Sequence, residues 1–196
     1  MKKVLALLFV FSASLALFTS CEKDDICPGD TLTTPVLKLG FYNISNQDRF
    51  KSVARLRVIG INEDGTQRDT LNTFPDRSSR TEIDIPLRTS ESYSAFLFIK
   101  NSSDRTDTLD NGNIEYVELG NIDTLRFNYT RQEEFISRGC GYAVRISELG
   151  YNLNPDFTDS IPNDQEWITS VFVQDPNLQH QDTVHVKIYH ASTVSP

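Results

Sequence analysis

Apolar and polar residues alternate along most of the chain from Pro35 onward. This period of two predicts β-strands with one face in the core and one in water. No stretch keeps the 3.6-residue period of an amphipathic helix over three turns, so we expect an all-β fold. Three runs show the alternation clearly: Leu37, Leu39 and Phe41; Leu56 and Val58; and Ile83, Ile85 and Leu87.

Residues 93–99 differ from these runs because both of their faces are apolar. Such a run is typical of a strand that is covered on both sides, and we place it centrally. The dipeptides Asp64-Gly65 and Asn111-Gly112 predict tight hairpin turns that need positive φ. Further runs follow towards the C-terminus: Leu125, Phe127 and Tyr129; Cys140, Tyr142, Val144 and Ile146; residues 167–173; and Val184, Val186 and Ile188.

These runs add up to eight to ten short strands joined by hairpins within residues 35–196, which we expect to form a single domain. An antiparallel β-sandwich of the immunoglobulin type is the favoured architecture, and a small lipocalin-like β-barrel is the alternative. The proline-containing segment 152–165 is the longest connection and therefore a candidate surface for function.

The N-terminus reads as a targeting signal. Lys2 and Lys3 precede an apolar run over residues 4–18, and this order predicts a signal peptide that is removed after residue 20. The segment LFTSC at 17–21 resembles the lipobox of bacterial lipoproteins, which implies a diacylglycerol on Cys21 and an acylated tether over 21–34. A plain secretory signal is the alternative.

The proposed anchor implies localisation at the outer membrane. Residues 22–25, EKDD, resemble the short acidic signal that exports some Bacteroidota lipoproteins to the cell surface. A solvated linker explains the same residues, so the surface is only slightly favoured over the periplasmic face. We expect the lipid to anchor the protein and no segment to span the membrane, because no other window approaches the roughly 20 apolar residues of a spanning helix.

The charge of the chain argues against nucleic acid as a partner. The chain carries 19 basic and 27 acidic residues, a net charge of −8, and loss of Lys2 and Lys3 with the signal peptide makes it −10. Such a surface repels a phosphate backbone, and no basic stripe offsets it.

Once Cys21 is acylated, Cys27 and Cys140 are the two cysteines that remain. Outside the cytoplasm two such thiols most often pair, so we predict a Cys27–Cys140 disulfide. Two buried free thiols are the competing interpretation.

Four segments together resemble the domain-of-unknown-function family 6452, whose members are uncharacterised Bacteroidota lipoproteins. They are CEKDDIC at 21–27, FNYTR at 127–131, FISRGCGY at 135–142 and HVKIY at 185–189. The resemblance implies a lipoprotein and a characteristic pair of Cys27 and Cys140. It brings no activity, cofactor or catalytic residue.

Signals for catalysis and metal binding are weak, and we expect no catalytic residue, metal or cofactor. His185 and His190 point to opposite faces of an extended strand, while His180 lies in the preceding turn. An acidic loop offers oxygen ligands for calcium, yet a polar hairpin explains it equally: Asp104, Asp107, Asp110, Asn111 and Asn113. Glu133, Glu134 and Glu148 are interpreted as surface residues.

A triplet of Asp, hydroxyl and aliphatic residue recurs six times, whereas composition predicts roughly one occurrence. It resembles the acceptor motif of general O-glycosylation in exported Bacteroidota proteins. Strand entries generate similar triplets, because Asp suits a turn and Thr suits the first residues of a strand. The candidate acceptors are Thr31, Thr70, Thr108, Thr124, Ser160 and Thr183.

The leading hypothesis is a non-enzymatic, lipid-anchored module that binds an unknown protein or glycan at the cell envelope. The alternative is a structural or assembly factor on the periplasmic face that acts through protein contacts, and an enzyme comes third. Binding of sugars needs exposed aromatic side chains, for which Trp167 and Tyr151 are candidates, although either can equally belong to the core.

Overall fold

A computed structural model describes Cys27 and residues 35–109, 111–155, 166–178 and 182–191. The described residues contain no helix, and the predicted all-β fold is confirmed. The structure has eleven strands there, more than the eight to ten expected. They are β1 Leu37–Asn43, β2 Asn46–Phe50, β3 Val53–Ile61, β4 Gln67–Thr70, β5 Ser78–Arg80, β6 Glu82–Ile85, β7 Tyr93–Thr108, β8 Ile114–Ser137, β9 Gly141–Leu153, β10 Ile168–Val173 and β11 Val186–His190.

The chain divides into two compact units. The larger comprises Thr34–Glu133 and Val144–Pro196, and the smaller comprises Met1–Thr33 and Glu134–Ala143. Within the smaller unit the structure describes Cys27 and residues 134–143, which comprise the end of β8, the turn and the start of β9. The predicted signal peptide lies outside the described residues, and the single domain over 35–196 stays a prediction.

The strands form two sheets that do not close into a barrel, so the predicted β-sandwich is confirmed and the lipocalin-like alternative is wrong. The first sheet has the order β10-β11-β1-β2, and β6 also pairs with β1. The second has the order β4-β3-β7-β8-β9, and β5 also pairs with β3. β1 and β11 run parallel, which a chain of hairpins alone does not produce.

The main core lies in the larger unit and contains most of the residues that the alternation assigned to it, although Tyr142, from the run of Cys140, Tyr142, Val144 and Ile146, is 71 % exposed. Leu37, Leu39 and Phe41 of β1 are fully buried, and Ile83 and Ile85 of β6 share their cluster. Each such side chain contributes about 1.5–3 kcal/mol on leaving water. The period of two therefore located the inner face of these strands correctly.

β7 is covered on both faces, as its sequence predicts. Phe96 and Phe98 join the main core, while Ala95, Leu97 and Ile99 belong to a second apolar cluster on the opposite face. The prediction for residues 93–99 is confirmed.

A bulge interrupts the pairing of β7 with β8 between Lys100 and Ser103. Asn101 has a φ of 59° there, and Gly120 on the partner strand has a φ of 139°. A Cβ atom on Gly120 would lie 2.8 Å from the carbonyl oxygen of Lys100, so only glycine fits this approach.

A buried carboxylate holds the start of β10. Asp123 of β8 accepts hydrogen bonds from the backbone N–H of Trp167 at 2.7 Å, from that of Ile168 at 2.8 Å and from the Asn154 amide at 2.8 Å. Burial raises the pKa of Asp123, while these hydrogen bonds act in the opposite direction.

Candidate functional site

A groove of about 460 Å³ crosses β7, β8 and β9 in the larger unit. Its β8 side chains are Arg126, Asn128 and Thr130, which alternate with buried residues of the main core. Because neighbouring residues of a strand point to opposite sides, these three face away from that core. Tyr93 of β7 pairs with Asn128 and completes one wall. We call this feature the outer groove; its lining also includes Ser92, Tyr129, Glu148 and Gly150.

Polar side chains of the outer groove are fixed by one another. The Arg126 guanidinium lies 4.3 Å from the centre of the Tyr93 ring, and its Nε donates to Asn128 Oδ1 at 3.0 Å. Asn128 Nδ2 in turn donates to Asn152 Oδ1 at 2.9 Å. A fixed array of this kind loses little entropy when a ligand binds.

The floor of the outer groove contains Gly150 of β9. A Cβ atom at this position would meet nothing within 4 Å, so the missing side chain leaves open space. Next to the gap, the Thr130 hydroxyl donates to Glu148 Oε2 at 2.6 Å. Gly150 thus creates room between side chains that can form hydrogen bonds.

The loop of residues 86–92 lies beside the outer groove and is held by Arg88. The Arg88 N–H donates to Ser94 Oγ at 2.8 Å, and its carbonyl accepts from the Tyr129 hydroxyl at 2.8 Å. Its guanidinium donates to the Ile61 carbonyl and to Glu91, each at 2.8 Å. These contacts preorganise the loop before any ligand arrives.

The two phenols beside the outer groove are neutral hydrogen-bonding groups at physiological pH. Burial raises the pKa of Tyr129 above its ordinary value. Burial, followed by a hydrogen bond to Glu91, raises the pKa of Tyr93. The charged groups that line the groove are Arg126 and Glu148, which have opposite signs. The lining is therefore neutral overall.

A second recess of about 350 Å³ lies between β3, β4 and the loop of residues 86–88, and we call it the apolar cleft. Its walls include Leu71, Leu87 and Phe96, while Asp69 and Asn72 add polar groups. Apolar walls with polar groups beside them suit a small ligand of mixed character.

The structure contains the Cys27–Cys140 disulfide expected from the sequence. The two Cα atoms are 4.7 Å apart, and the bridge spans a sequence separation of 113 residues. Both cysteines belong to the smaller compact unit. The proposed lipidation site, Cys21, lies outside the described residues.

The structure separates the six candidate glycosylation sites. Thr108 and Thr183 are exposed, Thr70 is half-buried, and Thr31 and Ser160 lie outside the described residues. Thr124 is only 3 % exposed and pairs with Leu97 inside the sheet. Its hydroxyl is therefore buried in the folded protein, and the assignment of the six acceptors stays a prediction.

Of the two alternatives that the sequence left open for Trp167, the structure supports the core. Trp167 is 5 % exposed, and its indole N–H donates to the Phe98 carbonyl at 3.0 Å, so it belongs to the core. Tyr151 is partly exposed, and its hydroxyl donates to the Val171 carbonyl at 2.9 Å.

Two of the three histidines are buried in separate contacts, and His180 lies outside the described residues. His185 Nδ1 accepts from the Lys38 backbone N–H at 3.0 Å. His190 packs edge-on against Trp167 at 5.4 Å between ring centres, and burial lowers its pKa. A neutral imidazole suits this position.

Acidic residues considered as ligands are paired or take part in turns. Asp104 pairs with Arg77, Asp107 lies 2.9 Å from Arg105, and Asn111 Oδ1 accepts from the Asn113 N–H at 2.9 Å. Asp110 lies outside the described residues. Over the described ranges no group of three or more His, Cys, Asp or Glu residues is arranged to hold a metal ion.

Glu133 and Glu148 have separate partners. Glu133 lies 3.2 Å from Arg131, whereas Glu148 accepts from Thr130 in the outer groove. The expectation that Glu148 is plain surface is therefore incomplete. Within the part of the chain that the structure describes, no helix is long and apolar enough to cross a membrane.

Sequence reasoning missed the outer groove because its parts come from three strands. The polar series Arg126, Asn128 and Thr130 has the pattern of an ordinary wet strand face. A signal was nevertheless present, since Gly150 interrupts a strand without any turn, and such a glycine often marks a close approach of a ligand or a backbone.

Comparison with known proteins gives one match. The model of a family described as a family of unknown function, DUF6452, matches residues 55–190. No curated protein matches the chain, and no solved structure does.

Proposed function

This chain belongs to the DUF6452 family of unknown function, and we propose that it is a lipid-anchored cell-envelope protein that binds a neutral saccharide without turning it over. The outer groove is its binding site in this proposal. The sequence motif at Cys21 supports the anchor, and the mature protein acts at the outer membrane, with the cell surface slightly favoured.

One observation carries the choice of site: the gap at Gly150 lies among polar side chains that already hold one another in place. Asn128 is fixed between Arg126 and Asn152, and Thr130 is fixed by Glu148. A ligand that enters the gap meets hydroxyl, amide and carboxylate groups in known positions. Polar groups that are fixed in place orient a bound ligand and provide specificity.

The balance of charge favours a neutral ligand rich in hydroxyl groups. Arg126 and Glu148 cancel, so neither an anion nor a cation is selected. Saccharide hydroxyls both donate and accept, which matches the side chains of Asn128 and Thr130. Tyr93 adds an aromatic ring beside them, and the guanidinium groups of Arg126 and Arg88 lie over this ring at 4.3 Å and 5.5 Å from its centre.

The test fills the gap without disturbing the strand. Gly150→Gln places a polar side chain in space where a Cβ atom meets nothing within 4 Å. Thr106→Gln is the matched control, because Thr106 is an exposed strand residue of β7 outside the groove. Both variants and the wild type are compared on an array of neutral oligosaccharides, followed by calorimetric titration of the ligands that bind.

We expect the wild type and Thr106→Gln to bind the same glycan with the same affinity. Gly150→Gln should bind at least about tenfold more weakly, which corresponds to about 1.4 kcal/mol. Equal melting temperatures establish that the fold is intact. If Gly150→Gln binds with the affinity of the wild type, the outer groove is not the binding site. If no neutral oligosaccharide on the array binds, the proposed ligand class is wrong. Mass spectrometry of the bound glycan should find it unchanged.

The alternative, a periplasmic structural factor, draws support from the hairpin of β7 and β8. Ile114 is 62 % exposed and Tyr116 is 72 % exposed, and single-point crosslinkers at these positions would capture a protein partner. Protease treatment of intact cells distinguishes the two roles by location. Digestion before lysis supports the surface-displayed binding module, while protection until lysis supports the periplasmic factor.

A further inference from the structure

The end of the hairpin formed by β8 and β9 presents two aromatic side chains to solvent, one from each strand. Phe135 is 55 % exposed and Tyr142 is 71 % exposed. Their ring centres are 5.3 Å apart in an edge-on arrangement, so together they form one apolar patch. We call residues 134–143 the aromatic tip; they belong to the smaller compact unit together with Cys27.

The aromatic tip has no net charge, although the chain as a whole is acidic. Glu134 and Arg138 are its charged residues and cancel, whereas the whole chain carries a net charge of −8. An acidic surface is repelled by anionic lipid headgroups. The aromatic tip escapes this repulsion because its net charge is zero. Zero net charge together with exposed aromatic side chains favours a membrane interface.

The disulfide ties the aromatic tip to the segment that bears the proposed lipid. Cys27 follows Cys21 by six residues, which span at most roughly 20 Å when fully extended. Cys140 lies within the tip, and its Cα atom is 4.7 Å from that of Cys27. The tip therefore stays within about 25 Å of an acyl chain attached at Cys21.

We propose that the aromatic tip docks on the bilayer that holds the lipid anchor and inserts Phe135 and Tyr142 at its interface. This inference rests on the proposed acylation of Cys21. Two aromatic side chains alone would not attach a protein stably, since stable membrane attachment takes more than one signal. The short tether adds the second signal, because it keeps the tip at a high effective concentration next to the bilayer.

The experiment measures the depth of a reporter side chain in the acylated protein. The full-length lipoprotein is reconstituted into vesicles of phosphatidylethanolamine and phosphatidylglycerol whose acyl chains are brominated, because bromine quenches nearby indoles. Tyr142→Trp reports on the tip. Tyr116→Trp is the matched control, as Tyr116 has nearly the same exposure, 72 %, in the hairpin of β7 and β8. The native Trp167 is common to both and is subtracted with the wild type.

We expect roughly a twofold loss of the added emission in Tyr142→Trp, since interfacial side chains lie about 5–10 Å into the boundary between headgroups and acyl chains. Tyr116→Trp should keep its emission. In a further variant that also carries Cys27→Ser and Cys140→Ser, the quenching of Trp at 142 should fall. Unchanged quenching there would overturn the role of the disulfide.

Flotation of the vesicles separates this inference from the proposed anchor. Protein that does not float with the lipid overturns the anchor itself, and the inference with it. Protein that floats while Trp at 142 remains unquenched leaves the anchor in place and overturns the docking of the aromatic tip. That result would direct attention to a protein as the occupant of the patch.

Discussion

Replacing both Cys27 and Cys140 by serine should destabilise the folded protein strongly. The bridge closes a loop with a sequence separation of 113 residues, and this loop contains all of β1 to β8. Opening it returns conformational freedom to the unfolded chain. The folded state loses only one covalent contact at the turn between β8 and β9.

The magnitude follows from the length of the loop. In the chain-entropy account, closing a loop of this size lowers the entropy of the unfolded ensemble and so raises its free energy by about 5 kcal/mol. For a chain of this length, each kcal/mol lowers the melting temperature by about 2–4 °C. We therefore expect the melting temperature of the double variant to fall by about 10–20 °C.

Urea unfolding followed by far-ultraviolet circular dichroism measures the difference in free energy. The double-serine variant is compared with the wild type, and the reduced wild type is the control that should coincide with the variant. Intact mass before and after alkylation tests the pairing itself. Either alkylation of both thiols in the purified protein, or a difference in unfolding free energy under about 1 kcal/mol, would refute the reasoning.

Three further predictions test other parts of the account. Gly120→Ala should lower stability by about 3 kcal/mol in urea unfolding because of its positive φ and the close Lys100 carbonyl, whereas Gly150→Ala should stay within about 0.5 kcal/mol. Burial raises the pKa of Asp123, so its protonated form favours folding. That contribution to the free energy of unfolding is complete below the ordinary pKa of an aspartate and is lost as pH rises through the raised pKa. Urea unfolding of Asp123→Asn over the same pH range should lack this loss. If the protein is glycosylated, peptide mapping should find glycan on Thr108 and none on Thr124; a glycan on Thr124 in folded protein would contradict the structure.

Much of the fold was predictable because burial acts on single residues. The alternation of Leu37, Leu39 and Phe41 places these side chains in the core whichever strands pair with β1. Apolar residues on both faces of 93–99 likewise identified a covered strand. The parallel pairing of β1 with β11 was not predictable, since it joins residues almost 150 positions apart, such as Leu39 and Val186, and no local pattern records it.

The candidate site was harder to predict from the sequence, because a single polar residue of a strand does not show whether it faces open solvent or a binding site. Arg126 and Asn128 resemble any solvated strand face until the register places Tyr93 against them. The sequence left the place of Trp167 open for a related reason: its indole N–H donates to a buried carbonyl and so needs no exposure, which no local pattern shows. Thr124 shows the same limit: its triplet resembles an acceptor motif, yet Asp123 beside it is buried and anchors β10.

An NMR titration of the soluble Cys21→Ser protein with neutral oligosaccharides tests the central claim most directly. The account predicts that the backbone amide shifts are largest at Tyr93, Asn128, Thr130 and Gly150, the residues of the outer groove. The largest shifts in the apolar cleft, or no shift with any neutral oligosaccharide, would contradict it.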